Sequence, residues 1–99
     1  MNMQALMQQA QRMQKDIQKK QEEIQKSEFT GNSELVDITI YGSKKVKSVK
    51  LKNMTSFDAE DIDILEDMIK LAMNDAINKV EKETESKLGA YSKQLGGLI

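Results

Sequence analysis

Proline is absent, and the five glycines stand at positions 31, 42, 89, 96 and 97, so the chain has few places to stop a helix. Residues 1–28 and 58–88 hold neither residue type, and in both stretches apolar residues recur at helical spacing. Between them lies a short segment rich in Val, Ile and Thr, residues that favour strands. With 99 residues there is room for one domain and a limited core, which makes a partner chain an early expectation. The expected architecture is α+β: a long helix, a small antiparallel set of strands and a second long helix. A single domain over residues 1–95 accounts for the chain, with residues 96–99 as a frayed tail.

Composition removes whole classes of chemistry. There is no Cys and no His, so disulfides, thiol chemistry, Cys- or His-ligated metals and His-based nucleophile activation are excluded. No nucleophile–base pair or phosphate-cradling Gly loop is present. We therefore expect no enzyme, no cofactor, no metal and no small-molecule substrate. No apolar run reaches the roughly 18 residues of a membrane span, and the Gln-rich N-terminus has no signal-peptide core. The expectation is a soluble cytoplasmic protein. Fifteen Lys and Arg stand against sixteen Asp and Glu, and the pI is near 5.5. A free-standing DNA-binding module more often has a pI above about 9, so the placement of charge matters more than its sum.

The first helix is expected from about Asn2 to Lys26. Met3, Ala10, Ile17 and Ile24 recur every seven residues, with Leu6 and Met13 between them, until Lys20 and Ser27 break the second series. This is a coiled-coil-like stripe on a Gln-rich rod of roughly 37 Å. A compact domain of this size has a radius of gyration of only about 13 Å, so the rod must project or lie along another helix. Arg12, Lys15, Lys19 and Lys26 fall on the side opposite the stripe. Two readings fit that row: a solvated face with Glu22–Lys26 and Glu23–Lys19 pairs, or a row of phosphate contacts.

Glu28–Thr30 has strand character, and Gly31-Asn32-Ser33 reads as a turn. From Leu35 to Tyr41, Val36, Ile38 and Ile40 share one face and Asp37, Thr39 and Tyr41 the other. Gly42-Ser43 suits a type II′ hairpin. Val46, Val49 and Leu51 are the apolar positions of the returning strand, and their odd spacing places a bulge near Lys47-Ser48. Five lysines (44, 45, 47, 50 and 52) crowd this strand, as edge protection or as anion contacts.

The second helix is expected from about Asp58 to Leu88. Six carboxylates between Asp58 and Asp67 complement the positive end of its dipole. Asp61 and Asp63 point away from each other on a helix, so they do not form a metal or acid–base pair. Ile62, Leu65, Met68, Ile69, Ala72, Met73, Ala76, Ile77 and Val80 cover about half its circumference, which suggests burial against a sheet and a second subunit. Residues 56–75 carry seven acids and one Lys, whereas Lys79, Lys82, Lys87 and Lys93 stand against three Glu in residues 76–93. The acid excess is thus confined to one end of one helix.

Several stretches, in this order and spacing, carry a family resemblance: residues 3–14 (MQALMQQAQRMQ), Glu28-Phe29-Thr30-Gly31, residues 35–42 (LVDITIYG), residues 46–51 (VKSVKL), Leu65-Glu66-Asp67-Met68-Ile69 and Ala72-Met73-Asn74-Asp75-Ala76. Over nearly its full length the chain resembles the YbaB/EbfC family of nucleoid-associated proteins. That resemblance implies an α-β-β-β-α fold and an intertwined homodimer with projecting first helices. It also implies binding of double-stranded DNA with little sequence preference, and a place at the nucleoid. The expected DNA-binding residues are Arg12, Lys15, Lys19, Lys26, Lys79, Lys82 and Lys87. The expected dimer interface holds Val36, Ile38, Ile40, Leu65, Ile69, Met73 and Ala76. The chain departs from the family pattern in the short Asn32-Ser33-Glu34 loop, in Lys52 and in lacking proline. The competing class is a coiled-coil scaffold or prefoldin-like holdase, in which the two helices would pair over most of their length.

Overall fold

The computed structural model describes residues 2–54 and 56–94. Helix α1 (Met3–Lys26) is followed by strands β1 (Glu28–Asn32), β2 (Val36–Tyr41) and β3 (Val46–Leu51), a 3-10 turn at Ala59–Asp61 and helix α2 (Ile62–Gln94). The strands form one antiparallel sheet in the order β1-β2-β3. The expected α-β-β-β-α architecture is the one observed. The expected tail, residues 96–99, lies outside the described residues.

Alternation along β2 builds the core. Val36, Ile38 and Ile40 face α2 and are buried with Ala72, Ala76 and Val80, while Asp37, Thr39 and Tyr41 take the outer face. The register puts Phe29 and Gly31 of β1 on the helix side and Glu28, Thr30 and Asn32 outside. The Thr30 and Thr39 hydroxyls hydrogen-bond across that outer face at 2.8 Å. The bulge falls opposite the Thr39/Ile40 step, with Lys47 the extra residue between Val46 and Ser48.

Three local expectations need correcting. Gly31 and Asn32 belong to β1, and the turn comes later, at residues 33–35. Gly31 is needed for approach rather than for turning: a Cβ there would lie 1.9 Å from the Ala72 carbonyl oxygen and 2.4 Å from the Ala76 nitrogen. Strand and helix backbones meet where Gly31, Ala72 and Ala76 together leave room. The hairpin is not type II′. Lys44 N–H donates to Tyr41 O at 2.8 Å and Tyr41 N–H to Lys45 O at 2.9 Å, and the left-handed residue is Lys44, at φ 72°. This is a type I-like turn closed by a left-handed residue. Gly42 instead lets the hairpin abut α1, since a Cβ would sit 1.9 Å from the Ile24 oxygen. There Gly42 N–H donates to Ser27 O and Ser43 N–H to Gln25 O, which ties the hairpin to the C-terminal end of α1.

The third correction is the end of α2, which runs through Gly89 to Gln94 rather than stopping at Leu88. Packing against α1 outweighs the weak helix propensity of glycine. The nearest atom to a Cβ at Gly89 is the Glu85 Cγ at 3.7 Å, an ordinary contact. Gly89→Ala is therefore expected to stabilise the protein by about 0.5–1 kcal/mol, read as a rise of several degrees in the thermal midpoint. At the other end Asp58 N–H donates to the Asp61 carboxylate at 2.9 Å, so part of the acid cluster serves to start the helix.

The helices run antiparallel, and they meet only in part. Ile17 and Gln21 of α1 face Thr84, Leu88 and Tyr91 of α2, and Ile24 is buried. Beyond Ile17 the N-terminal half of α1 leaves the body. Met3, Leu6 and Met7 of the stripe are exposed. The molecule measures 71 × 21 × 14 Å with a radius of gyration of 19.6 Å, against roughly 13 Å for a compact chain of this length. The projecting rod accounts for the difference. Pairing over most of both helices, the signature of a prefoldin-like subunit, is not what this chain shows.

Candidate nucleic-acid interface

Arg12, Lys15, Lys19 and Lys26 are all exposed on the side of α1 away from its apolar stripe. The Glu22–Lys26 and Glu23–Lys19 pairs do not close. Among the described residues the ion pairs are Lys47–Glu28, Lys52–Asp37, Lys79–Asp75 and Lys87–Glu83. None involves the α1 row. Four cations therefore stand on the rod over about 21 Å of helix axis, interleaved with Asp16, Glu22 and Glu23 but in no ion pair among the described residues.

The three expected cations of α2 differ among themselves. The Lys79 ammonium donates to Thr30 O at 2.6 Å and lies 3.4 Å from Asn32 Oδ1 and 3.3 Å from the Asp75 carboxylate. Asn32 N–H in turn donates to Asp75 Oδ2 at 2.9 Å. Lys79 and Asp75 thus clamp the end of β1 onto α2. Lys87 pairs within its own helix with Glu83 at 3.7 Å. Lys82 has no ion-pair partner among the described residues, and lines an open groove of about 450 Å³ with Phe29, Lys79 and Ser86.

Lys20, which breaks the α1 stripe, proves to be a stitch between the helices. Its ammonium donates to the Tyr91 hydroxyl at 3.1 Å and sits 4.8 Å from the ring centroid. Sequence reasoning missed this contact and the Lys79 clamp, because both join residues distant in the chain. The nearest local signal was a lysine in an apolar register.

Two carboxylates are held below their ordinary range. The Asn32 N–H, helped by Lys79, lowers Asp75. Lys52, helped by the Asn32 side chain, lowers Asp37. A depressed carboxylate contributes stability that is complete above its unfolded value of about 3.9 and is lost as pH falls through the lower folded value. Replacing both, Asp37→Asn with Asp75→Asn, is expected to flatten the loss of stability below about pH 4, measured as thermal midpoint against pH. An unchanged acid limb would contradict both contacts.

The expected interface residues divide by burial. Val36, Ile38, Ile40 and Ala76 lie in the chain's own core, Leu65 and Met73 are half-buried, and Ile69 is exposed. The cross-strand partners of the β2 trio are Leu51, Val49 and Val46 of β3, on the same side of the sheet. Helix α2 covers β1 and β2 but not β3, so these three remain 50%, 55% and 49% exposed. Stepping round α2 at about 100° per residue, Ile62, Ile69 and Met73 fall on the opposite flank from Asp75 and Lys79, toward β3. An apolar face of sheet edge and helix flank is left uncovered. Among the described residues no group of three acidic side chains could hold a metal ion, and no helix is long and apolar enough to cross a membrane.

Known proteins are similar to this chain in sequence and in fold. The chain is 43% identical over 98 residues to a nucleoid-associated protein of Enterococcus faecalis, covering 97% of this chain and 93% of the relative. It is 44% identical over 97 residues to a nucleoid-associated protein of Lactococcus lactis subsp. cremoris, covering 96% and 97%. A crystal structure of an uncharacterized protein from Helicobacter pylori shares the fold, with a TM-score of 0.68 at 19% identity and coverage of 97% and 99%. The family model described as the YbaB/EbfC DNA-binding family matches residues 1–95. On that match and those identities, the chain belongs to the YbaB/EbfC DNA-binding family.

Proposed function

We propose that the protein is a nucleoid-associated homodimer that holds double-stranded DNA through its phosphate backbone on the outer faces of two projecting α1 helices. The observation that carries this reading is the row Arg12, Lys15, Lys19 and Lys26, exposed and free of described ion pairs on a rod that leaves the body. Four cations over about 21 Å suit a DNA strand whose phosphates recur every 3.4 Å along the axis. Lys82 extends the cationic surface and Lys87 adds a charge about 7.5 Å further along α2, while Lys79 serves first to fix β1.

No aromatic residue sits among these positions, so bases have no platform to stack on. A row of flexible cations on the outer face suits phosphates rather than base edges. Weak sequence preference follows. The second protomer docks on the face formed by Val46, Val49, Leu51, Ile62, Leu65, Ile69 and Met73, with Val36, Ile38, Ile40 and Ala76 as its buried floor. Pairing would cover apolar surface that a monomer leaves in water and double the cationic rods.

Fluorescence polarisation of several unrelated duplexes at low salt tests the proposal. Affinities are expected within about tenfold of one another, well short of the 10³–10⁷ that separates specific from non-specific sites. Absence of binding to any duplex at about 50 mM salt would remove DNA from the account and favour a protein-binding scaffold. A dimer at the nucleoid that coats DNA in this way would influence nucleoid organisation and gene expression.

A further inference from the structure

The β2–β3 hairpin tip holds two lysines that the sheet does not use. Of the five lysines between Lys44 and Lys52, Lys47 pairs with Glu28 and Lys52 with Asp37. Lys50 lies on the outer sheet face opposite Asp37. Lys44 and Lys45 are exposed and have no ion-pair partner among the described residues. They sit in the turn, off the strand edge, so edge protection does not account for them.

Two further observations single them out. Lys44 adopts φ 72°, a left-handed conformation that glycine or asparagine takes at lower cost. A strained non-glycine residue at an exposed tip points to a use for its side chain. The tip is also anchored to the last turn of α1, where the cation row ends at Lys26, because Ser43 N–H donates to Gln25 O at 3.3 Å and Gly42 N–H to Ser27 O at 3.0 Å. Lys44 and Lys26 are each one residue removed from the Ser43–Gln25 bond. The two joined stretches, residues 25–28 and 42–47, carry four lysines (26, 44, 45 and 47) and one acid, Glu28.

We infer that Lys44 and Lys45 at the β2–β3 hairpin tip continue the phosphate-binding row of α1 beyond Lys26. This rests on the proposed DNA-binding function. The hairpin turns the row at the C-terminal end of the rod and carries it onto the body. A duplex lying on α1 is then held at the rod's base as well as along its length.

The test is the salt dependence of duplex binding by three full-length proteins: wild type, K44G/K45Q and K44R/K45R. Glycine suits the left-handed position, so K44G/K45Q keeps the turn while removing both charges. The Arg variant keeps both charges. The slope of log K against log salt in K44G/K45Q is expected to fall by about 0.9 for each phosphate no longer neutralised, with affinity at 50 mM salt roughly tenfold weaker per phosphate. K44R/K45R is expected to keep the wild-type slope. Equal slopes in all three proteins would overturn the hairpin contact while leaving DNA binding in place. A reduced slope in the Arg variant as well would overturn it in favour of a turn-shape effect. Absence of duplex binding by the wild type would overturn the underlying function and this contact with it.

Discussion

Gly31→Ala lowers the thermal unfolding midpoint by roughly 15 °C, corresponding to a loss of about 3 kcal/mol. The added methyl has no direction in which to move. Its carbon would lie 1.9 Å from the Ala72 oxygen, 2.4 Å from the Ala76 nitrogen and 2.8 Å from the Ala76 Cβ. Two of these are backbone atoms of a long helix, so relief requires α2 to lift from β1. That lift would separate Asn32 from Asp75 and Thr30 from Lys79, and open the core over Ile38. Overpacking usually costs 1–3 kcal/mol, and two immovable neighbours put this case at the top of that range. A total stability of 5–15 kcal/mol is ordinary, so a loss of about 3 kcal/mol leaves the variant folded at 25 °C with a much reduced margin. A midpoint within about 3 °C of wild type would show that strand and helix are not in such close contact.

Val49→Asp splits the proposed dimer without unfolding the protomer. Val49 is 55% exposed in the protomer, so an aspartate there remains hydrated in the separated chain. In the dimer it would be buried among Val46, Leu51 and the flank of α2. Burying an unpaired carboxylate costs several kcal/mol, which weakens dimerisation by about 10³-fold or more. Sedimentation equilibrium at micromolar concentration is expected to read twice the chain mass of 11.2 kDa for wild type and once that mass for the variant. The far-UV spectrum should be unchanged. DNA binding should weaken as well, since one rod cannot gain from the second. A variant that remains dimeric would place the interface elsewhere.

Periodicity made both helices legible, and β-branched alternation in Val36, Ile38 and Ile40 made the central strand so. The broken spacing of Val46 and Val49 marked the bulge correctly. What stayed hidden depends on contacts between distant residues. Gly31 carries the local signature of a turn, but its role is set by Ala72 and Ala76 more than forty residues away. Gly89 reads as a helix stop until α1 is seen packed beside it. Lys79 and Lys82 are alike in sequence, yet only Lys79 is drawn into the β1 clamp. Helical geometry alone gave the α1 cation row, because one face of one helix is a local property. Its freedom from the neighbouring Glu22 and Glu23 needed side-chain positions. The uncovered face of β3 was obscured because Val46, Val49 and Leu51 look like core residues, and they would be so had α2 lain one strand further across.

The central claim is that DNA lies along the outer face of α1, and polarisation of a labelled duplex at rising salt tests it most directly. Wild type is compared with R12E/K15E/K19E, three changes at exposed positions that leave the apolar stripe intact. The wild-type slope of log K against log salt is expected between about −4 and −7, for one or two rods of four cations. A loss of at least about 10³-fold in affinity at about 50 mM salt is expected for the variant. Salt-independent binding by the wild type, or wild-type affinity in the variant, would contradict it.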